Sequence, residues 1–131
     1  MTATGSCLCG TVKYKVNGPL RDVTACHCTQ CRKQSGHFYA ATSAADADLV
    51  IEGADNLTWY EASDDAKRGF CKTCGSALFW KLNGESKTSI LAGSLDDGAG
   101  VKLIDHIFVA DKGDYYEVND GVPAYPQGRG S

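Results

Sequence analysis

Seven cysteines fall into three short clusters along this chain, and any fold it adopts has to give those clusters a role. Cys7 and Cys9 are spaced C-x-C. Cys26, Cys28 and Cys31 are spaced C-x-C-x-x-C, and Cys71 and Cys74 are spaced C-x-x-C. An odd count leaves one thiol over from a complete disulfide framework. The stretch from Met1 to Ser6 has no basic start leading into an apolar run, so it does not read as a secretory signal. No segment approaches the roughly 18 apolar residues of a membrane span. The chain therefore reads as cytoplasmic, a reducing setting that disfavours structural disulfides. The clusters are accordingly read as metal ligands.

They divide into four plus three. Gly10 follows Cys9 and Gly75 follows Cys74. A turn that grips zinc commonly needs positive φ just after the ligand, which glycine supplies at low cost. The shared glycine pairs Cys7 and Cys9 with Cys71 and Cys74, and four thiolates close a tetrahedral structural zinc site. Cys26, Cys28 and Cys31 remain. Residues two apart in an extended segment face the same side, so Cys26 and Cys28 can share a metal, and Cys31 can reach back from the first turn of a helix. Three thiolates leave a coordination position open, as in a catalytic zinc site. Soft thiolate ligands make an external thiol the natural fourth partner. Two readings compete with this one. The second site is closed by His27 or another side chain, or Cys28 and Cys31 form a redox pair. His27 alternates with its cysteine neighbours and should point away from their metal. No βαβ pattern surrounds a redox motif.

The remaining pattern is mainly β. Thr11 to Val16 alternates, with Val12, Tyr14 and Val16 on one face. Further strands are expected at Val23 to Cys28, His37 to Ser43, Leu49 to Glu52, Leu57 to Glu61, Ala77 to Leu82, Ser86 to Ala92, Ile104 to Val109 and Tyr115 to Val118. Leu49–Glu52 and Leu57–Glu61 read as a hairpin across residues 53–56, and Asn83-Gly84 as a tight turn joining the next pair. One short helix is expected at Gln30 to Ser35, with Thr29 as N-cap and Gly36 as its stop. A helical turn is expected within Ala44 to Asp48. The tail from Gly121 to Ser131 is expected to fray. Phe38, Tyr39, Phe79, Trp80 and Phe108 read as core residues. Residues 1–131 read as a single domain. The net charge of −3, without a Lys/Arg stripe, gives no footprint for nucleic acid. Lys13, Arg21 and Lys87 read as solvated surface charges.

The order and spacing of all seven cysteines resemble one known family. The matching segments are Gly5-Ser6-Cys7-Leu8-Cys9-Gly10, Cys26-His27-Cys28-Thr29-Gln30-Cys31-Arg32-Lys33 and Arg68-Gly69-Phe70-Cys71-Lys72-Thr73-Cys74-Gly75-Ser76. They are followed by Leu95-Asp96-Asp97, His106-Ile107-Phe108 and Asp120-Gly121-Val122-Pro123. This is the pattern of the glutathione-dependent formaldehyde-activating enzymes, which share a domain with centromere protein V. The resemblance implies a β-rich, Mss4-like fold of mostly antiparallel sheets and irregular loops. It also implies structural zinc at Cys7, Cys9, Cys71 and Cys74, and catalytic zinc at Cys26, Cys28 and Cys31. The implied activity is that of a carbon–sulfur lyase, with glutathione and formaldehyde giving S-hydroxymethylglutathione. A tryptophan usual in the family after the His-Ile-Phe segment is missing, and Tyr115 and Tyr116 are the nearest aromatics. On this reading Arg32 and Lys33 attract the carboxylates of the thiol. His106 is the candidate proton carrier, with Asp96 to orient it. The alternative is a zinc-stabilised binding module without turnover.

Overall fold

The computed structural model describes residues 2–129. Strands β1 (Ala3–Ser6), β2 (Lys13–Val16) and β5 (Leu49–Glu52) form a three-stranded antiparallel sheet with β2 in the middle. A second sheet has seven strands. They are β3 (Val23–Cys26), β4 (Tyr39–Ala45), β6 (Leu57–Glu61), β7 (Ala66–Cys71), β8 (Ala77–Leu82), β9 (Lys87–Leu91) and β10 (Leu103–Ile107). Its order is β10-β3-β4-β9-β8-β7-β6. All its pairings are antiparallel except β10 against β3, so the sheet is mixed. The mainly β, Mss4-like expectation holds. Among the described residues there is one α-helix, α1 (Thr29–Ser35), which connects β3 to β4.

Alternation gives the large sheet two different faces. Phe79 and Ile90 stand opposite each other on one face and pack with Val12, Tyr14 and Val16 of the small sheet. This main core also contains Cys7 and Cys71. Trp80 and Leu91, each one residue further along, point to the other face, where Cys31, Tyr39 and Ala41 form a second cluster beneath α1. Arg68 pairs with Trp80 and Gly69 with Phe79, which places the arginine on the α1 side. The register of β7 and β8 therefore decides which side chains meet the cysteine triplet.

Several expectations need correction. Leu49–Glu52 and Leu57–Glu61 do not pair with each other; β5 joins β2 and β6 joins β7. Gly53 adopts φ +76°, and a Cβ there would lie 2.1 Å from the Thr11 carbonyl oxygen. The link between the strands thus packs on the N-terminal segment and passes the chain from one sheet to the other. Helix α1 is capped by Cys28 rather than Thr29, since the Cys28 sulfur accepts a hydrogen bond from the Cys31 N–H. Residues 115–118 form no strand; the Tyr115 and Tyr116 hydroxyls bond instead to His37 and His27. The helical turn expected in residues 44–48 is a short 3-10 turn, Asp46–Asp48.

The tail, as far as it is described, does not fray. Tyr125 donates its N–H to the His106 carbonyl at 2.9 Å, and His106 and Phe108 donate theirs to Pro123 and Gln127. The segment so covers the otherwise open edge of β10. Arg129 then bonds to Asp105 and to the Thr24 hydroxyl. Asp105 is 4% exposed. Burial alone would raise its carboxyl pKa, but the hydrogen bonds from Arg129 and Thr24 hold it below the ordinary value. A depressed folded-state pKa stabilises the fold above the unfolded value and loses that contribution as pH falls through the folded one. Arg129→Ala should therefore cost about 1–2 kcal/mol at pH 7, the arginine being partly solvated. The deficit should shrink toward zero as pH falls through the depressed folded-state pKa of Asp105, as read by urea denaturation of both proteins at pH 7 and at successively lower pH.

Candidate metal centres

Two turns bring Cys7, Cys9, Cys71 and Cys74 together, with all four sulfurs within 4.8 Å of one another. One turn leaves β1 and the other links β7 to β8. Gly10 and Gly75 sit at φ +81° and +78°, as the shared glycine predicts, and their N–H groups close each turn onto the Cys7 and Cys71 carbonyls. The Val12 N–H points at the Cys7 sulfur, and the Cys74 N–H and the Asn56 amide point at the Cys71 sulfur. The Cys7 to Cys9 and Cys9 to Cys71 sulfur separations are 3.6 and 3.8 Å. A disulfide would put them near 2.05 Å. Four sulfurs about 2.3 Å from a central zinc ion stand about 3.8 Å apart. Distances and donor set thus fit a tetrahedral metal. Before any cation enters, the thiols already differ. Cys74 is pushed down to about 5 by hydrogen bonding to Ser76, and burial pushes Cys7 up.

The sulfurs of Cys26, Cys28 and Cys31 also lie within 4.8 Å of one another. Cys26 comes from the end of β3, Cys28 from the N-cap of α1 and Cys31 from its first turn. Hydrogen bonds from Cys26 and Cys31 pull the Cys28 thiol strongly down, helped by the Cys31 N–H and the charge of Arg68. Hydrogen bonds to Cys28 and Cys31, with burial, drive Cys26 up. Two thiols crowding one thiolate is the electrostatic state a soft cation relieves.

All three residues line a cavity of about 440 Å³ on the α1 side of the large sheet. Trp80, Tyr39, Ile107 and Phe108 supply apolar wall, and Gln30, Arg68, Arg21 and Arg129 supply polar groups. Tyr39 and Trp80, read from the sequence as core, are thus also cavity wall. So is Phe108, which adopts φ +55°, a conformation that costs a bulky residue energy and turns the chain sharply at the end of β10. Arg21, read as a solvated charge, is exposed and forms part of the rim. Arg32 and Lys33 are not among the lining residues; Arg32 donates to the Asp111 carbonyl and Lys33 is exposed.

His106 does not line the cavity either. It is buried and bonded through Nε2 to Asp120 at 2.8 Å and through Nδ1 to His27 Nε2 at 2.8 Å, while His27 Nδ1 bonds to the Tyr116 hydroxyl. Asp96, expected to orient His106, instead accepts from the Thr4 hydroxyl at 2.6 Å. Burial, the largest cause, pushes His27 down to about 4, so it stays neutral. The Asp120 carboxylate can only accept, so His106 donates from Nε2. This chain holds His27 by its ring, between Cys26 and Cys28, on the side away from their sulfurs. His27 therefore does not close the three-sulfur cluster.

Arg68, Gln30 and Asp120 take part in these contacts without having carried a role in the sequence. The first two stand in matched motifs without an assigned role, and the last opens the Asp120-Gly121-Val122-Pro123 segment.

Comparison with known proteins agrees with this geometry. Residues 2–111 match the family model for the glutathione-dependent formaldehyde-activating enzyme. A Halomonas elongata protein named "Putative glutathione-dependent formaldehyde-activating enzyme" is 39% identical over 87 residues; the match covers 60% of this chain and 55% of the Halomonas protein. A Schizosaccharomyces pombe protein named as an uncharacterized lyase is 29% identical over 86% of this chain and 82% of its own length. A crystal structure of a Rhodobacter sphaeroides protein superposes with a TM-score of 0.62 at 25% identity, covering 92% of this chain and 98% of the other. The chain belongs to the glutathione-dependent formaldehyde-activating enzyme family.

Proposed function

We propose that residues 1–131 act as one cytoplasmic domain that holds two zinc ions and works as a carbon–sulfur lyase. The favoured reaction joins glutathione and formaldehyde into S-hydroxymethylglutathione. The observation that carries this reading is the position of Cys26, Cys28 and Cys31 on the wall of the large cavity. Three sulfurs leave a fourth position, and the cavity supplies room beside it. Family membership and the names of the relatives point to the same chemistry.

Zinc bound there would favour the thiolate form of an incoming thiol and polarise a carbonyl oxygen. The chain's own residues do the rest. Cys26, Cys28 and Cys31 hold the ion; Cys7, Cys9, Cys71 and Cys74 hold the structural one. Trp80, Ile107 and Phe108 exclude water from the reacting atoms. Arg32 and Lys33, on α1, draw the carboxylates of the thiol toward the site from outside the cavity. His106 acts by position: through His27 it fixes the segment between Cys26 and Cys28.

The four-plus-three division is tested by metal content. Cys31→Ser should remain folded and retain one zinc of two. Cys74→Ser should lower the melting temperature by about 10 °C or more, because metal binding free energy at a structural site is folding free energy. Equal behaviour of the two variants would refute the division. The substrate class is tested by titrating glutathione, and other thiols beside it, into the zinc-loaded protein in a calorimeter. Heat that vanishes in Cys31→Ser is the expected result, and an absence of heat with every thiol would exclude thiol chemistry. Two inert, equally tight zinc ions would favour the binding module.

A further inference from the structure

Among the described residues, three buried side-chain polar atoms have no hydrogen-bond partner: Gln34 Oε1, Tyr39 Oη and Arg68 Nη1. Tyr39 and Arg68 both line the cavity that carries the cysteine triplet. Arg68 is 3% exposed and Tyr39 is 4% exposed. The other guanidinium donors are engaged. Nε and Nη2 donate to Gln30 Oε1 at 3.0 and 2.8 Å, and Nη2 also lies 3.4 Å from the Cys31 sulfur. The guanidinium carbon sits 5.1 Å from the centroid of the Tyr39 ring. Among the described residues, no carboxylate forms an ion pair with Arg68.

A buried guanidinium N–H left without an acceptor carries its full desolvation cost, and charged groups cost more than neutral ones. Arg68 Nη1 can only donate, and the Tyr39 hydroxyl can donate. Two donors and one positive charge, beside the sulfurs, call for an oxygen bearing negative charge. The described chain offers none there.

We infer that Arg68 Nη1 and the Tyr39 hydroxyl form an oxyanion subsite that takes the aldehyde-derived oxygen in the reaction proposed above, on which the inference rests. As the thiolate adds, a sulfur electron pair forms the S–C bond and the C=O π pair moves onto oxygen. The alkoxide accepts hydrogen bonds from Nη1 and from the tyrosine hydroxyl, then takes a proton from water to give the hydroxymethyl thioether. Nothing is oxidised or reduced. Donors fixed in advance where charge develops stabilise the transition state more than the ground state. Arg68 is fixed in this way, because Gln30 and Cys31 hold the other side of its fork. The bond to Cys31 also couples the oxygen subsite to the sulfur cluster.

Tyr39→Phe is the discriminating variant, because it removes a hydroxyl the fold does not use. Formate serves as a one-carbon oxyanion probe, titrated by calorimetry into the zinc-loaded protein, with melting temperature and zinc content measured alongside. The expected result is an unchanged or higher melting temperature, unchanged zinc content, and formate binding weakened by about fivefold or more. Formation of adduct from glutathione and formaldehyde should slow by about 10- to 100-fold in kcat, with the KM for glutathione preserved. Arg68→Lys, which keeps the charge and loses the fork, should weaken formate further. A lower melting temperature in Tyr39→Phe, absence of formate binding to the unmodified protein, or equal binding or turnover in the variant would each overturn the subsite. Tyr39-dependent formate binding in a protein that makes no adduct would uphold the subsite and remove the lyase reading. Normal adduct formation by Tyr39→Phe would remove the subsite and leave the lyase reading standing.

Discussion

The four-sulfur cluster is the joint on which the molecule is assembled. Cys7 and Cys71 are not appended to the core; they are part of it, at 3% and 0% exposure. One belongs to the small sheet's leading turn, the other to the end of β7 in the large sheet. A cation held there ties the two sheets at the point where Val12, Tyr14, Phe79 and Leu78 also meet. A domain of this size buries only a modest core, and a metal clip between distant segments would supply what the apolar contacts lack. With the sheets fixed against each other, the opposite face of the large sheet is free to carry α1, the triplet and the cavity.

The two faces of that sheet separate stability from chemistry. Phe79 and Ile90 face the small sheet, while Trp80 and the β7 residue opposite it, Arg68, face the cavity. A shift of one residue in the β7–β8 register would either bury Arg68 among the apolar side chains of the main core or turn Phe79 toward the cysteines, depending on which strand slipped. Gly69 helps to hold the register, since a Cβ there would meet the Trp59 ring at 3.1 Å and that ring stacks on Phe79. The same alternation explains why Tyr39 and Trp80 look like core in a linear reading and serve as cavity wall in the folded chain.

Metal-ligand spacing was the most legible part of the chain. Two pairs with a trailing glycine, and a triplet opening a helix, are local signals, and the structure assembles both groups as expected. Strands with clear alternation or a turn dipeptide, such as β2, β8 and β9, were legible for the same reason. Strands β1 and β7 were not, because Ala3–Ser6 is small and polar and Ala66–Cys71 carries Lys67, Arg68 and Gly69, which break any period of two. The partners of β5 and β6 depend on how Gly53 packs against Thr11, a contact between segments far apart in sequence. The bond from Asp120 to His106 and the place of Arg68 beside Cys31 are likewise tertiary facts. Charge near a motif was a poor guide to charge at the site. Arg32 and Lys33 adjoin the triplet in sequence, whereas the guanidinium on the cysteines comes from 37 residues further along the chain.

The parallel pairing of β10 with β3 carries a consequence for how the protein is made. β3 presents Cys26 early in the chain, but its neighbour β10 spans Leu103–Ile107. Phe108 follows at once, and Arg129 comes later still. Every residue of the four-sulfur joint has been synthesised by Cys74, well before these walls exist. Long-range pairings of this kind form late, and segments fold as they leave the ribosome. A nascent chain therefore passes through a stage in which the joint can close while the triplet lies open on the sheet face, with α1 above it and no far wall. A metal would reach the three sulfurs most easily in that interval, and the later segments from β10 to Arg129 would then build the chamber around a centre already loaded.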